Sequence, residues 1–147
     1  MHTISTILDE KGSRVVYTVP PDATVMQAVE TMCAAKVGAV LVCTGSACQG
    51  IFSERDLMTR VILEHRDPTT TKVVDVMTDS VAAVGPEITT EEAMAIMTDR
   101  RCWHLPVIDA GRVVGVVSIG DLVRHESRDQ DFEIRSLTDY ILGKYPG

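Results

Sequence analysis

Two seven-residue stretches carry the side chains best suited to hold a ligand. Gly50-Ile51-Phe52-Ser53-Glu54-Arg55-Asp56 and Gly115-Val116-Val117-Ser118-Ile119-Gly120-Asp121 both read Gly, two apolar residues, Ser, two variable residues, Asp. Each follows a strand-like run and opens a helix-like one. A Ser at that junction is a natural N-cap, its hydroxyl accepting from a backbone amide of the first turn. An Asp in the same turn suits the positive end of the helix dipole. Plain capping therefore accounts for a single Ser-x-x-Asp. Three features go beyond it. The pair recurs at the same register, each copy is preceded by a Gly whose missing side chain leaves room for close approach, and the amides of a helix N-terminus form an anion site. An Asp repels phosphate but accepts from two neighbouring hydroxyls, as an acidic residue does on a ribose in dinucleotide folds. Ser and helix amides for a phosphate and Asp for a ribose together describe a nucleotide, with capping as the open alternative.

The elements that must position these groups are themselves written twice. Sliding the chain by 65 positions aligns Val16 to Leu57 with Val81 to Leu122 without a gap. Val19/Val84, Pro21/Pro86, Thr24/Thr89, Ala28/Ala93, Met32/Met97, Val42/Val107, Gly50/Gly115, Ser53/Ser118 and Asp56/Asp121 are identical pairs. Each unit begins with a β-rich run, 15–19 and 81–84, followed by a Pro-containing turn. Thr24-x-x-Gln27 and Thr89-x-x-Glu92 then read as capping boxes. Apolar residues at helical spacing follow, Val25, Ala28, Val29 and Met32 in one unit and Ala93, Met94, Ile96 and Met97 in the other. Two strands and a last helix complete each unit, giving β-α-β-β-α twice and an α/β (α+β) fold. The boundaries expected are 1–66 for the first repeat, 67–128 for the second and 129–147 for a tail. Pro68 and the Thr run interrupt the linker, and "VVDVMT" is read as leading into the second unit. In the tail, Phe132, Ile134, Leu137, Ile141 and Leu142 have the spacing of an amphipathic helix with one apolar face.

Composition sets outer limits. The chain has 147 residues, 45% hydrophobic and 24% charged, ordinary values for a globular protein with a sizeable core. A net charge of −7 lacks the basic footprint of a nucleic-acid binder. No apolar run has membrane-spanning length, and the N-terminus lacks the apolar core of a secretory signal; a cytoplasmic protein is expected. Cys33, Cys43, Cys48 and Cys102 form no C-x-x-C pair, so reduced, mostly buried thiols are expected. His2, His65 and His125 show no metal-ligand spacing.

Two β-α-β-β-α units, each closing on Gly-h-h-Ser-x-x-Asp, resemble a tandem pair of CBS domains, the arrangement called a Bateman module. "VPPDATVMQAVETM", "KVGAVLV" and "GIFSERDL" carry the likeness in the first half, and "HLPVID" and "GVVSIGDLV" in the second. The resemblance implies two repeats related by a pseudo-twofold axis and a sensor of adenine nucleotides such as AMP, ADP, ATP, NAD(H) or S-adenosyl compounds. It implies a first site of Thr18, Lys36, Gly38, Ala39, Val40, Ser53, Arg55 and Asp56. It implies a second site of Ala83, Arg101, His104, Leu105, Pro106, Ser118, Ile119 and Asp121. The sites differ, since "AVLV" stands where the second repeat has "HLPV", and Gly120 stands where the first has Arg55. A homodimer signalling to an effector protein is the expected assembly, with no catalytic cofactor or metal.

Other readings stay in view. Arg100, Arg101, Trp103 and His104 fit a ligand rim, or equally a helix C-terminus favouring cations. An enzyme is the least favoured class, because no phosphate loop and no nucleophile–base spacing occurs. A protein-interaction module without nucleotide is the main alternative.

Overall fold

The structure is a computed structural model that describes residues 2–10, 16–79 and 81–129. The proposed tail helix with Phe132, Ile134, Leu137, Ile141 and Leu142 lies outside the described residues. The chain divides into two compact units, one made of residues 15–81 and the other of residues 1–14 together with 82–147.

In the 15–81 unit, β1 (Thr18–Val19) pairs parallel to β2 (Ala39–Thr44), which pairs antiparallel to β3 (Ala47–Ser53). Helix α2 (Val25–Ala35) runs between β1 and β2, and α3 (Glu54–Asp56) follows β3 and continues as a π-helix over Leu57–Ile62. Thr24 and Gln27 form the reciprocal capping box expected from their spacing. Val25, Ala28 and Met32 on α2 meet Val40, Val42 and Phe52 of the sheet in a core that Val61, Val73 and Val76 complete.

The other unit repeats this plan. Helix α4 (Thr90–Arg100) is capped by Thr89 and Glu92, β4 (His104–Asp109) pairs antiparallel with β5 (Arg112–Ser118), and α5 (Ile119–Asp129) follows. Even the ladder irregularity recurs, between Val42 and Cys43 in one repeat and between Val107 and Ile108 in the other. The strand expected at 81–84 is reduced to one parallel bridge, Val84 with Val107. Pro106 supplies the reason. In the first repeat the Leu41 amide donates to the Tyr17 carbonyl at 3.0 Å. Pro106 stands at the matching position and has no amide to donate.

A further repeated element escapes the 65-residue register. The amide of Val73 donates to the Ala23 carbonyl at 2.8 Å and that of Val25 to the Thr71 carbonyl at 2.9 Å. In the other unit Ile4 donates to Ile88 at 2.9 Å and Thr90 to His2 at 3.1 Å. Residues 2–8 and 71–77 thus play one part, each docked on the helix entrance of a repeat. "VVDVMT" thus packs on the 15–81 unit, and the N-terminal helix α1 (Ile4–Glu10) packs on the other. Ile4, Ile7 and Leu8 are fully buried there. Burial of each such side chain is worth roughly 1.5–3 kcal/mol, enough to hold a helix of about two turns that would not form alone.

Cys43 and Cys48 face each other across the β2–β3 ladder and form a disulfide, with Cα atoms 4.0 Å apart. Reduced thiols were expected from the spacing; the hairpin register brings these two onto one face, which spacing alone does not reveal. Cys33 and Cys102 are free thiols. Among the described residues no helix is long and apolar enough to cross a membrane.

Candidate functional site

Both Ser-x-x-Asp copies are built alike. The Asp56 amide donates to Ser53 Oγ at 3.3 Å, and the Ser53 amide returns a bond to Asp56 Oδ2 at 3.0 Å. In the second copy the Asp121 amide donates to Ser118 Oγ at 3.1 Å and the Ser118 amide to Asp121 Oδ2 at 2.8 Å. Each pair is thus a reciprocal capping box at the start of a helix, and both Asp side chains are buried. The capping role is real in both repeats.

The outer carboxylate oxygens are held differently. Asp56 Oδ1 accepts from the Thr78 hydroxyl at 2.9 Å and lies 3.6 Å from Arg60 Nε. Arg60 also donates to the Met77 carbonyl at 2.7 Å, so it ties the π-helix to the segment that crosses β3. Asp121 Oδ1 is paired with Arg124, one turn along its own helix. Thr78, Arg60 and Arg124 were not among the site residues expected from sequence. The two arginines lie four and three residues after their Asp, ordinary helical pairing distances that could have singled them out. Thr78 reaches Asp56 only through the tertiary crossing.

The Gly of each motif allows a close approach, as its position suggested, but the visitor is the protein itself. A Cβ on Gly50 would stand 2.5 Å from the Thr78 carbonyl oxygen, and one on Gly115 would stand 2.8 Å from Leu8 Cδ2. The docked segments of residues 71–78 and 2–10 occupy the space.

Backbone hydrogen bonds bring several expected site residues together. Glu54 donates to the Gly38 carbonyl at 3.0 Å and Ala39 pairs with Ser53, so Gly38, Ala39, Ser53 and Asp56 share one end of the sheet. Likewise Ile119 donates to the Trp103 carbonyl at 2.9 Å and His104 pairs with Ser118. Val40 and Leu105 send their side chains into the two cores, which leaves only their backbone for a ligand. Leu105 pairs with Val117 and Pro106 with Val116. Thr18 sits on β1 opposite Leu41, and Ala83 precedes the bridge residue Val84. Arg55 lies in the first turn of α3.

Lys36 and Arg101 occupy matching C-cap positions, and both are left-handed, with φ of 58° and 54°. Glycine is the usual residue in that conformation, and a side chain there costs roughly 1–2 kcal/mol. Two cations at the same strained position in both repeats are a local conflict of the kind found at functional sites.

The geometry agrees with the comparisons. The CBS domain family model matches residues 10–63 and 73–128, and the chain belongs to the CBS-domain family. It is 41% identical over 132 residues to the mitochondrial CBS domain-containing protein CBSX3 of Arabidopsis thaliana, spanning 84% of this chain and 63% of that one. It is 28% identical to the CBS domain-containing protein YhcV of Bacillus subtilis, covering 86% of this chain and 89% of that one. A putative signal-transduction protein with CBS domains from Burkholderia ambifaria superposes with a TM-score of 0.85 at 40% identity, covering 88% of this chain and 96% of that chain. A CBS domain protein of Pyrobaculum aerophilum complexed with AMP shares the fold, with a TM-score of 0.71 at 20% identity, over 82% of this chain and 89% of that one.

Proposed function

We propose that this chain is a regulatory module that binds an adenine nucleotide at its Ser53/Asp56 and Ser118/Asp121 motifs and passes the signal to an effector protein. AMP is the first candidate, with ADP, ATP, NAD(H) and S-adenosyl compounds as alternatives. The observation that carries this reading is the strained cation, Lys36 or Arg101, two residues before the carbonyl of Gly38 or Trp103 that accepts from the first helical amide after each Ser. The helix dipole favours a cation near a C-terminus but not in the left-handed cap itself, where glycine is the unstrained residue; an anionic ligand gives a reason to keep the cation there. The AMP complex of a fold relative supports adenosine phosphates as the class to test first. The reading is of a binder and not an enzyme, working as a soluble cytoplasmic protein.

Saturating AMP tests it. At one hundred times Kd a ligand stabilises the native state by about 2.7 kcal/mol, which raises the melting temperature by roughly 5–10 °C in a domain of this size. Absence of any shift with millimolar AMP, ADP, ATP, NAD or S-adenosylmethionine rules the sensor reading out and leaves the protein-interaction module.

A homodimer is part of the same reading. Met58, Ile62 and Leu63 are 58%, 56% and 69% exposed, an apolar face along the π-helix and its end that calls for cover. A cyclic pair is the commonest cover. Light scattering of the full chain should give twice the monomer mass, and Ile62→Glu should shift it toward monomer.

A further inference from the structure

From the geometry around Gly120 we infer that Arg124 is the phosphate-selecting cation of the second nucleotide site, a refinement that rests on the nucleotide reading above. Gly120 replaces the arginine that the first motif carries at Arg55. The space is not empty. A Cβ on Gly120 would lie 3.4 Å from a terminal nitrogen of Arg124, so the guanidinium folds back over this glycine toward the start of α5. There it pairs with Asp121 Oδ1. The Arg124 side chain is 71% exposed while that of Asp121 is 3% exposed.

This arrangement answers an electrostatic difficulty in the second motif. A buried carboxylate beside Ser118 repels a phosphate. Arg124 neutralises that carboxylate from its solvent side. A guanidinium presents its N–H donors in a rigid planar fork and binds phosphate oxygens in the same manner as a carboxylate. The matching residue of the first repeat, Thr59, has no charge, and Arg60 there is tied to the Met77 carbonyl. The first site thus draws on Arg55 ahead of its Asp, and the second on Arg124 behind it.

Trp103 gives a local readout. It is the only tryptophan of the chain, it is half-exposed, and its carbonyl accepts from the Ile119 amide at the start of α5. Its emission would be titrated with AMP and with adenosine in the full-length wild type, Arg124→Gln and Arg124→Lys, with calorimetry alongside. Arg124→Gln should weaken AMP by about tenfold or more, as expected for loss of a charge-assisted contact. Adenosine should change by less than about threefold, and Arg124→Lys should fall between wild type and Gln for AMP. If Arg124→Gln fails to fold, the Lys variant decides, weaker AMP with unchanged adenosine supporting the assignment and no change overturning it. Equal loss of both ligands, or unchanged AMP binding, overturns the assignment of Arg124 while the nucleotide reading stands. A wild type that gives no saturable response to either ligand by both methods overturns the nucleotide reading, and this assignment with it.

Discussion

Gly50 lies directly beneath the Thr78 carbonyl, and the two strands are stitched together there by Ile51 and Thr78, which exchange hydrogen bonds of 2.9 and 2.8 Å. The same crossing delivers the Thr78 hydroxyl to Asp56. In the second repeat the neighbour of the equivalent Gly115 is a leucine side chain instead of backbone.

That difference predicts unequal tolerance. Gly50→Ala forces a methyl against a backbone oxygen at 2.5 Å and should destabilise by about 2 kcal/mol or more. Gly115→Ala meets the end of Leu8, which can rotate, and should cost about 1 kcal/mol. Urea unfolding of the two variants would check the order. Equal losses would mean that the crossing segment moves as easily as a side chain.

Lys36→Gly relieves the left-handed strain and should raise the stability of the ligand-free protein by roughly 0.5–1 kcal/mol. If Lys36 serves an anion, AMP affinity should drop in the same variant. Thermal melts with and without AMP separate the two effects. A variant that is stabilised and still binds AMP normally would remove Lys36 from the site.

Asp56 is both a cap and the acceptor for Thr78, so Asp56→Ala should lower ligand-free stability by about 1–3 kcal/mol. Thr78→Val should lower it less. Their double mutant should show a coupling of about 0.5 kcal/mol or more. Additive losses would show that the 2.9 Å bond contributes nothing measurable.

Cysteine chemistry should follow burial. Burial pushes the Cys102 thiol above its ordinary range, with Arg100 opposing the shift. Less thiolate at neutral pH means slower alkylation. Cys33 is exposed and should react first with iodoacetamide, while Cys43 and Cys48 should become labelled only after reduction. Peptide mass mapping over time would read the order, and faster labelling of Cys102 than of Cys33 would contradict it.

Much of this protein is decided locally and can be read along the chain. The capping boxes at Thr24 and Thr89, the apolar spacing of α2 and α4 and the Ser-x-x-Asp turns depend on residues three or four apart, so their pattern survives in one dimension. The duplication itself is visible because 65 residues separate each element from its copy. Other features arise only when distant segments meet. Residues 2–8 and 71–77 are 69 apart rather than 65, and their shared role appears only in the carbonyls of Ala23 and Ile88 that receive them. Thr78 reaches Asp56 across 22 residues, and Cys43 finds Cys48 because a shifted ladder opposes them. Pro106 reads as part of a typical strand, yet it lacks the amide that would match the Leu41 donor, and the pairing with the preceding segment shrinks to the bridge at Val84. Such contacts depend on backbone donors and on space left by glycine, and neither leaves a periodic trace in side-chain polarity.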